Sequence, residues 1–265
     1  MVVFDKFEGT GNDFVIIDNR DLSFNPDPDT VARLCHRRFG IGADGLILLQ
    51  SYEEKDFEMV YFNSDGHLGS MCGNGGRCIS AFAYMKGVAQ EHCTFKAYDG
   101  DHEAFVQPVQ GKTGVFHVKL SMNEVAGLQT IADDFFLDTG SPHYVSMRNN
   151  LGDMDVVEEG RKIRYSEPFR KSGTNVNFVH EEGEGIRVRT YERGVEDETL
   201  CCGTGVTASV LCYASIRGMD AGSVPVAVQG GNVTVHFAKN GDTFSNLWLE
   251  GQARHVFTGT WPLDL

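Results

Sequence analysis

The sequence lacks the features that mark several classes of protein. No apolar run approaches the ~18 residues that span a bilayer, so no membrane segment is expected. The 23 lysines and arginines are outnumbered by 37 aspartates and glutamates, and the net charge is −14. A basic stripe for a nucleic-acid backbone is therefore absent, and no nucleic-acid partner is expected. The first residues include neither a basic leader nor a long apolar segment, so the expected location is the cytoplasm.

Cysteine occurs seven times, an odd number, and without the spacing of a metal site. No Cys-x-x-Cys pair is present, so structural zinc is not expected. The odd count, in a chain expected to be cytoplasmic, also argues against a disulfide framework. The cysteines are Cys35, Cys72, Cys78, Cys93, Cys201, Cys202 and Cys212.

One cysteine lies in a glycine-rich turn between a predicted strand and a predicted helix. Residues 57–62 are strand-like, the turn Met-Cys-Gly-Asn-Gly-Gly-Arg-Cys covers residues 71–78, and an apolar helical pattern follows. Glycines let the backbone turn sharply and leave its amides accessible. The first amides of a helix have no acceptor within the helix and carry partial positive charge, which favours an anion. Cys72 therefore lies where a carboxylate can be held and where a thiolate is favoured.

The same arrangement occurs again about half a chain later. Cys202 begins the run Cys-Gly-Thr-Gly, after the strand-like residues 186–191 and before a second helical pattern. The offset between the two cysteines is 202 − 72 = 130 residues. Other landmarks keep this offset and the same order along the chain, which indicates an internal duplication. They are Tyr61 with Tyr191, Ala97 with Ala227 and Gly100 with Gly230.

The predicted fold is α+β, with two structurally similar domains from this duplication. Each domain is expected to be a curved antiparallel or mixed β-sheet, barrel-like, around one central α-helix. The expected domains are residues 1–115, with the C-terminal strand 255–265 returning to them, and residues 116–254. The active site is expected in the cleft between the two domains.

Local patterns predict further elements. Residues 27–39 are amphipathic and predict a helix, whereas residues 154–164 fit either a helix or a loop. Two short strands, at 247–249 and 255–257, are expected to close the chain.

Two cysteines on matching turns suit a reaction that exchanges a proton on both faces of one carbon. Epimerisation at the α-carbon of an amino acid is such a reaction. A thiolate removes the proton from one face, and a thiol on the other face returns one. The helix-terminal amides would hold the carboxylate and stabilise the charge that develops there. No cofactor is then obligatory, and no lysine lies in a context that suggests a Schiff base.

A helix N-terminus does not by itself produce a full thiolate at neutral pH. It contributes up to about 2 kcal/mol, which lowers the pKa of a thiol near 8.5 by little more than one unit. Burial acts in the opposite direction. A neighbouring base is therefore expected, and His143 is the best candidate because its loop is the counterpart of the Asn12 turn. Glu192 would favour the neutral thiol or bind a substrate ammonium.

Each of these residues also has a purely structural interpretation. A single cysteine after a glycine turn is more often a small buried residue, and a loop histidine is more often structural than catalytic. Arg193 is either a surface charge or a clamp for a second carboxylate. The turn at Asn12 is either an ordinary turn or the source of an amide for a ligand. The matching turns favour the functional interpretation of Cys72 and Cys202.

Five motifs together resemble those of the diaminopimelate epimerase family, whose members are cofactor-independent two-cysteine isomerases. They are Gly-Asn-Asp-Phe at 11–14, Phe-Asn-Ser-Asp-Gly at 62–66, Met-Cys-Gly-Asn-Gly at 71–75, Tyr-Glu-Arg-Gly at 191–194 and Cys-Gly-Thr-Gly at 202–205. The resemblance implies interconversion of LL- and meso-diaminopimelate in lysine and peptidoglycan-precursor biosynthesis. It also implies a homodimer with a small-molecule substrate and with no cofactor or metal.

The resemblance further implies roles for individual residues. Cys72 and Cys202 would be the acid–base pair, and His143 and Glu192 would tune them. The carboxylate at the reacting centre would be held by Gly73, Asn74, Gly203 and Thr204. The amino groups and the distal carboxylate would be held by Asn12, Asn63, Asn175, Glu192 and Arg193.

The chain departs from the family pattern at three positions. Many members carry asparagine where this chain has Ser141, some carry glutamine where it has Gly45, and alanine is usual where it has Cys201. The alternative is a proline or hydroxyproline racemase, which is similar in its paired cysteines. Those enzymes have histidine where this chain has Asn74, and they lack the Glu-Arg-Gly motif. A non-catalytic redox sensor built on reactive thiols is an alternative from another class.

Overall fold

Four helices and seventeen strands make up residues 1–262, the part of the chain that the computed structural model describes. The helices are α1 (Pro28–Cys35), α2 (Gly73–Met85), α3 (Val156–Arg164) and α4 (Gly203–Arg217). Contacts divide the chain into two units, Met1–Leu120 together with residues from Gly251 onward, and Ser121–Glu250. None of the helices in the described range is long and apolar enough to cross a membrane.

The first unit is a mixed sheet around α2. Its strands are β1 (Val2–Gly9), β2 (Asn12–Asp18), β3 (Gly45–Gln50), β4 (Phe57–Asn63), β5 (His92–Ala97), β6 (Gly100–Pro108) and β7 (Val115–Met122). The pairs β1–β2, β3–β4, β5–β6 and β6–β7 are antiparallel, whereas β2–β3 and β4–β5 are parallel. Parallel pairs require crossover connections, and these connections contain α1 and α2.

The second unit repeats this order around α4. Its strands are β8 (Val125–Ala126), β9 (Gln129–Ile131), β10 (Asp134–Asp138), β11 (Pro142–Met147), β12 (Asn175–Glu182), β13 (Gly185–Glu192), β14 (Asp197–Thr199), β15 (Ala221–Val228) and β16 (Gly231–Asn240). The antiparallel pairs β10–β11, β12–β13 and β15–β16 alternate with the parallel pairs β11–β12 and β13–β15. The crossover connections contain α3 and α4. The shared alternation of pairings confirms the predicted duplication and the α+β class.

Helices α2 and α4 have no continuous polar face. In α4 every residue from Gly205 to Cys212 is buried, and in α2 every residue from Gly73 to Ala83 is buried. A helix with buried residues on all sides must be enclosed by other elements. Accordingly, α2 contacts β1, β2, β3, β4 and β6, and α4 contacts β10 to β13, β15 and β16. The central helix predicted for each domain is confirmed.

A single strand, β17 (Thr243–Trp261), replaces the two short strands that were expected at 247–249 and 255–257. From Leu247 to Arg254 every second side chain is buried, so the two-residue period of a strand continues without interruption. Its C-terminal part pairs antiparallel with β1. Residues 263–265 of the predicted strand lie outside the described residues.

Both boundaries between the two units lie inside strands, one in β7 and one in β17. The expected boundaries, after residues 115 and 254, fall in β7 and β17, whereas the contacts divide the chain after Leu120 and Glu250. A strand gives no change of composition at such a point, so the sequence carries no sharp boundary signal.

Helix α1 ends at Cys35, earlier than the predicted end at residue 39. His36 has extended backbone angles (φ −67°, ψ 120°), and its N–H donates to the carbonyl of Arg33. Asp27 caps the start of the helix, since its side chain accepts a hydrogen bond from the N–H of Thr30. The undecided segment 154–164 contains helix α3, which is capped in the same way by Asp155.

Candidate active site

Cys72 is the N-cap residue of α2. Its backbone is extended (φ −110°, ψ 115°), and its Sγ accepts a hydrogen bond from the N–H of Gly75 at 3.4 Å. Side-chain oxygens commonly cap helices in this way, and here a sulfur atom takes that place. The sulfur therefore lies at the positive end of the helix dipole, next to amides that can hold an anion.

Cys202 occupies the equivalent position at the start of α4. Its backbone angles (φ −109°, ψ 110°) are nearly equal to those of Cys72, and its Sγ lies 3.5 Å from Oγ1 of Thr204. Gly73 and Gly203 are the first residues of the two helices, as their predicted role in holding a carboxylate requires. The backbone conformation of the two cysteine turns is thus nearly the same, whereas the cap hydrogen bond to sulfur is present at Cys72 and not at Cys202.

Asn12 connects the β1–β2 turn to Cys72. Its Oδ1 accepts hydrogen bonds from Sγ of Cys72 at 3.6 Å and from Nδ2 of Asn74 at 3.2 Å, and its Nδ2 donates to Oδ2 of Asp44 at 2.5 Å. An ionised carboxylate only accepts hydrogen bonds, so the amide of Asn12 must present its oxygen to the sulfur. The structure therefore brings Asn12 and Asn74, both predicted site residues, next to Cys72.

Arg77, which the sequence did not single out, fixes the orientation of Asn74. It is fully buried, and its Nη2 donates to Oδ1 of Asn74 at 3.0 Å and to Oγ1 of Thr10 at 2.7 Å. A guanidinium only donates hydrogen bonds, so the amide nitrogen of Asn74 must face Asn12. The sequence did contain one signal for this contact: Asn74 and Arg77 are three residues apart, and such residues lie on the same face of a helix.

Ion pairs hold the Asn12 turn in place. The carboxylate of Asp13 lies 2.6 Å from Nζ of Lys6 and 2.7 Å from Nη2 of Arg37, which also lies 2.6 Å from Asp44. Burial alone would raise the pKa of Asp13, but the hydrogen bonds and charges of Arg37 and Lys6 outweigh it and lower this pKa to about 2. Asp13 is therefore ionised at neutral pH, and the cluster anchors Asn12 through Asp44.

Asn63 lies opposite Gly45, the residue that follows Asp44, in the antiparallel pair β3–β4. It is an exposed residue at the end of β4, where its N–H donates to the carbonyl of His67. Its role in substrate binding stays a prediction.

His143 is fully buried beside the start of α4. Its Nε2 lies 3.0 Å from Oγ1 of Thr204 and 3.1 Å from Oγ of Ser141, and its Nδ1 lies 3.0 Å from Nδ2 of Asn177. The sequence led us to expect His143 as a base that neighbours a catalytic thiol. In the structure the hydroxyl of Thr204 is the group that contacts both side chains.

The imidazole of His143 is neutral at neutral pH. Burial, and secondarily the positive charge of Arg193, lower the pKa of His143 to about 3. A neutral imidazole donates a hydrogen bond from one nitrogen and accepts one at the other. His143 is therefore linked to Cys202 through the hydroxyl of Thr204 and carries no positive charge at neutral pH.

The surroundings of Cys202 favour its thiol form. Burial raises the pKa of Cys202 well above its ordinary value, and the negative charge of Glu192 raises it further. The hydroxyl of Thr204, 3.5 Å from the sulfur, and the nearby backbone N–H of Gly205 lower this pKa and so act in the opposite direction. The hydroxyl of Thr204 is therefore the group at hydrogen-bond distance that stabilises the thiolate form of Cys202.

Asn175 connects His143 to the loop that follows β13. Its Nδ2 donates to Oγ of Ser141 at 2.9 Å, and its Oδ1 accepts the backbone N–H of Arg193 at 2.9 Å. The guanidinium of Arg193 donates to the carbonyl of Ser172 at 3.0 Å. In the second unit, Ser141 thus links His143 to Asn175, and Asn175 in turn contacts the backbone of Arg193.

The other cysteines pack in the interior, and all five are buried: Cys35, Cys78, Cys93, Cys201 and Cys212. Burial raises the pKa of Cys35 and of Cys93 to about 12, and the pKa values of Cys78 and Cys212 still further. These four thiols are therefore protonated and suited only to packing. Within residues 1–262 no group of three or more His, Cys, Asp or Glu side chains is arranged to hold a metal ion.

The sequence profile of the diaminopimelate epimerase family matches this chain over residues 4–125 and again over residues 135–256. Curated diaminopimelate epimerases align with nearly the whole chain. The protein from Flavobacterium psychrophilum is 45% identical over 258 residues, which cover 96% of this chain and 98% of the relative. The protein from Chlorobaculum tepidum is 44% identical over 263 residues, which cover 96% and 99%.

Solved structures of other enzymes share the fold. A phenazine biosynthesis protein of the PhzF family from Bacillus anthracis gives a TM-score of 0.75 at 15% identity, with 97% of this chain and 98% of that chain covered. A probable proline racemase from Agrobacterium radiobacter gives 0.70 at 14% identity, with 100% and 94% covered. At these identities the likeness concerns the fold alone, whereas the profile matches and the close relatives concern the family. The chain belongs to the diaminopimelate epimerase family.

Proposed function

We propose that this protein interconverts LL-diaminopimelate and meso-diaminopimelate by exchange of the α-proton between two thiols, Cys72 and Cys202, without a cofactor. The observation that carries the proposal is the repeated cysteine N-cap. Two helices in matching positions of two similar units begin with cysteines of nearly the same backbone conformation. The full-length relatives named diaminopimelate epimerase favour this substrate over others.

The reaction moves one proton at a time. The thiolate of one cysteine takes the α-proton, so that a C–H bond breaks, an S–H bond forms and the electron pair passes into the carboxylate as an enolate-like anion. The thiol of the other cysteine then donates its proton to the opposite face of the same carbon and becomes the thiolate. The proposal requires both sulfur atoms to reach one carbon from opposite faces. The pair shares one proton, and its titration belongs to both cysteines together.

The backbone at the two helix starts would stabilise the anion. The amides of Gly73 and Asn74, and those of Gly203 and Thr204, are at the first two positions of helices, where an amide has no acceptor within the helix. Such preorganised donors act most strongly where charge develops in the transition state. The sulfur of Cys72 already accepts the third amide of α2, from Gly75, so the same helix end serves both the thiolate and the carboxylate.

Other residues would select diaminopimelate among amino acids. The side chain of Arg193 can form a charge-assisted hydrogen bond with the distal carboxylate. Glu192 would accept a hydrogen bond from a substrate ammonium group. The side-chain amides of Asn12, Asn63 and Asn175 would form the remaining hydrogen bonds to the substrate. The link between Oδ1 of Asn175 and the backbone of Arg193 supports a common role for these two residues.

The proposed setting is the cytoplasmic synthesis of lysine and of peptidoglycan precursors, with a homodimer as the assembly. The acidic surface expected from a net charge of −14 fits an enzyme that acts on a small molecule and binds no nucleic acid. Analytical ultracentrifugation tests the dimer: a sedimentation mass of one chain at micromolar concentration would contradict it.

A chiral separation tests the substrate. The purified protein is incubated with LL-diaminopimelate, and the appearance of the meso isomer is followed by chromatography. L-Proline is the control substrate. Formation of meso-diaminopimelate with no change in proline supports the proposal. Racemisation of proline, with diaminopimelate unchanged, would instead support a racemase.

A further inference from the structure

Asn177 is a fully buried polar residue of β12 to which the sequence gave no role. Its side chain contacts three groups at hydrogen-bond distance. Oδ1 accepts the hydroxyl of Thr190 at 2.9 Å, and Nδ2 donates to the carbonyl of Tyr144 at 3.1 Å and faces Nδ1 of His143 at 3.0 Å. The amide therefore connects β11, β12 and β13 directly behind the histidine.

These partners determine which way the amide of Asn177 points. The backbone carbonyl of Tyr144 only accepts hydrogen bonds, so the group that faces it must be the amide nitrogen. A flipped amide would place two oxygen atoms against each other in a buried site, where an unpaired acceptor is costly. One N–H of Asn177 thus goes to Tyr144, and the other points at His143.

The orientation of Asn177 in turn determines the tautomer of His143. Because Nδ1 faces an N–H donor, it must act as an acceptor and carry no proton. A neutral imidazole has one proton, which must then lie on Nε2. From Nε2 it points toward the hydroxyls of Thr204 and Ser141, at 3.0 and 3.1 Å.

We propose that Asn177 is a positioning residue that holds His143 as the Nε2–H tautomer, so that the hydroxyl proton of Thr204 is directed to Sγ of Cys202. When the hydroxyl oxygen of Thr204 accepts from Nε2–H, its own hydrogen is available to the sulfur 3.5 Å away. In the opposite tautomer Nε2 would accept that hydrogen and draw it away from Cys202. The inference rests on the proposed function, in which Cys202 alternates between thiol and thiolate.

The fit around Asn177 leaves little freedom for another arrangement. Gly205, in the first turn of α4, has no side chain, and a Cβ there would lie 2.3 Å from Oδ1 of Asn177 and 3.2 Å from Cε1 of His143. The amide and the imidazole therefore pack directly against the helix that begins with Cys202. Loss of a hydrogen bond to the thiolate corresponds to a fall of roughly 10- to 100-fold in kcat.

The tautomer can be read without any turnover assay. The protein is labelled with ¹⁵N in its histidine rings, and long-range ¹H–¹⁵N correlation spectra at neutral pH identify the protonated nitrogen. The signals of His143 are assigned from their loss in His143→Gln. An unprotonated Nδ1 and a protonated Nε2 are expected. A protonated Nδ1, or protons on both nitrogens, would overturn the inference whether or not the protein is an epimerase.

Two variants connect the tautomer to the rate. In Asn177→Asp the new carboxylate accepts at the position of Nδ2, so we expect the proton of His143 to move to Nδ1 and kcat to fall by roughly 10- to 100-fold, with a smaller change in KM. Thr190→Val is the matched control, because it removes the partner of Oδ1 but keeps both N–H donors, and the Nε2–H signal should persist. A folded Asn177→Asp enzyme with an unchanged tautomer, or with a changed tautomer and normal kcat, would contradict the proposal. If that variant does not fold, the spectra of the unmodified protein and of Thr190→Val still decide it.

Discussion

Gly205 and Gly75 form a matched pair that tests how closely the second unit is packed around its histidine. Each is the third residue of its helix, three positions after the cysteine cap. A Cβ on Gly205 would lie 2.3 Å from Oδ1 of Asn177, whereas a Cβ on Gly75 would lie 3.1 Å from Cδ1 of Ile47 and 3.2 Å from Cε of Met59. The first contact is with a hydrogen-bonded amide, and the others are with the ends of flexible apolar side chains.

The expected losses of stability differ accordingly. Gly205→Ala must displace the amide of Asn177, which leaves two or more buried polar groups without partners at about 1–3 kcal/mol each. The higher helix propensity of alanine returns no more than about 1 kcal/mol. The net loss is therefore about 1–5 kcal/mol, which lowers the thermal midpoint by roughly 2–20 °C for a chain of this size. Gly75→Ala needs only small movements of Ile47 and Met59, and a change within about 1 kcal/mol is expected.

Thermal unfolding of both variants, followed by circular dichroism beside the unmodified protein, measures this difference. Chiral chromatography of the same samples measures epimerisation, which should fall further in Gly205→Ala because His143 moves with Asn177. Equal midpoints and equal rates for the two variants would refute the packing argument.

Three further predictions concern single side chains. Cys72→Ser and Cys202→Ser should each lower epimerisation by at least about 100-fold, since proton transfer by a positioned group supplies that much, and near-normal turnover in either would be incompatible with two bases. Arg193→Ala should raise KM for diaminopimelate by roughly 10-fold or more, because the distal carboxylate loses its charged partner. Arg170→Ala is the control, since Arg170 is exposed, and it should leave KM unchanged. An unchanged KM in Arg193→Ala would remove Arg193 from the site. His143 has a pKa of about 3 when folded and about 6.5 when unfolded, so unfolding takes up a proton between these values. The contribution of His143 to the free energy of unfolding should therefore be complete above about pH 6.5, and this free energy should fall by up to about 1.4 kcal/mol per pH unit as the pH drops toward 3. Chemical denaturation at several pH values should show a shallower fall for His143→Gln. Equal slopes of unfolding free energy against pH in the two proteins would contradict the buried neutral histidine.

The two cysteine turns could be predicted from sequence because the signals are local. The segments that form α2 and α4 are rich in apolar residues, and each follows a cysteine and a glycine. This local pattern specifies a buried helix that begins directly after Cys72 and after Cys202. The order of the landmarks then indicated the duplication. The two central helices also account for the parallel pairs β4–β5 and β13–β15, because parallel neighbours need a crossover connection between them.

The contacts around His143 could not be predicted, because they depend on how distant strands align. His143 lies opposite Asn175 in the parallel pair β11–β12, and Asn177 lies opposite Thr190 in the antiparallel pair β12–β13. A shift of one residue in either register would turn Asn177 to the other face of the sheet. The sequence spacing of Asn175 and Asn177 placed both on one face, but it did not show what that face contacts.

The long strand β17 was missed for a related reason. Gly251 and the charged residues near it have the composition of a turn, so local propensity predicted two short strands. Burial of every second residue, including Gly251 and Ala253, keeps the strand continuous. Tertiary packing outweighed the intrinsic preference of these residues.

The most direct test of the two-thiol account is the isotope content of product and substrate during epimerisation in D₂O. LL-diaminopimelate with protium at both α-carbons is allowed to react for the first few per cent of turnover, and both isomers are analysed by mass spectrometry. Removal of a proton by one thiolate and delivery of a deuteron by the other thiol should give meso product that contains one deuterium, while the remaining substrate contains none. Product that retains its original α-proton, or substrate that gains deuterium as fast as product, would contradict the account.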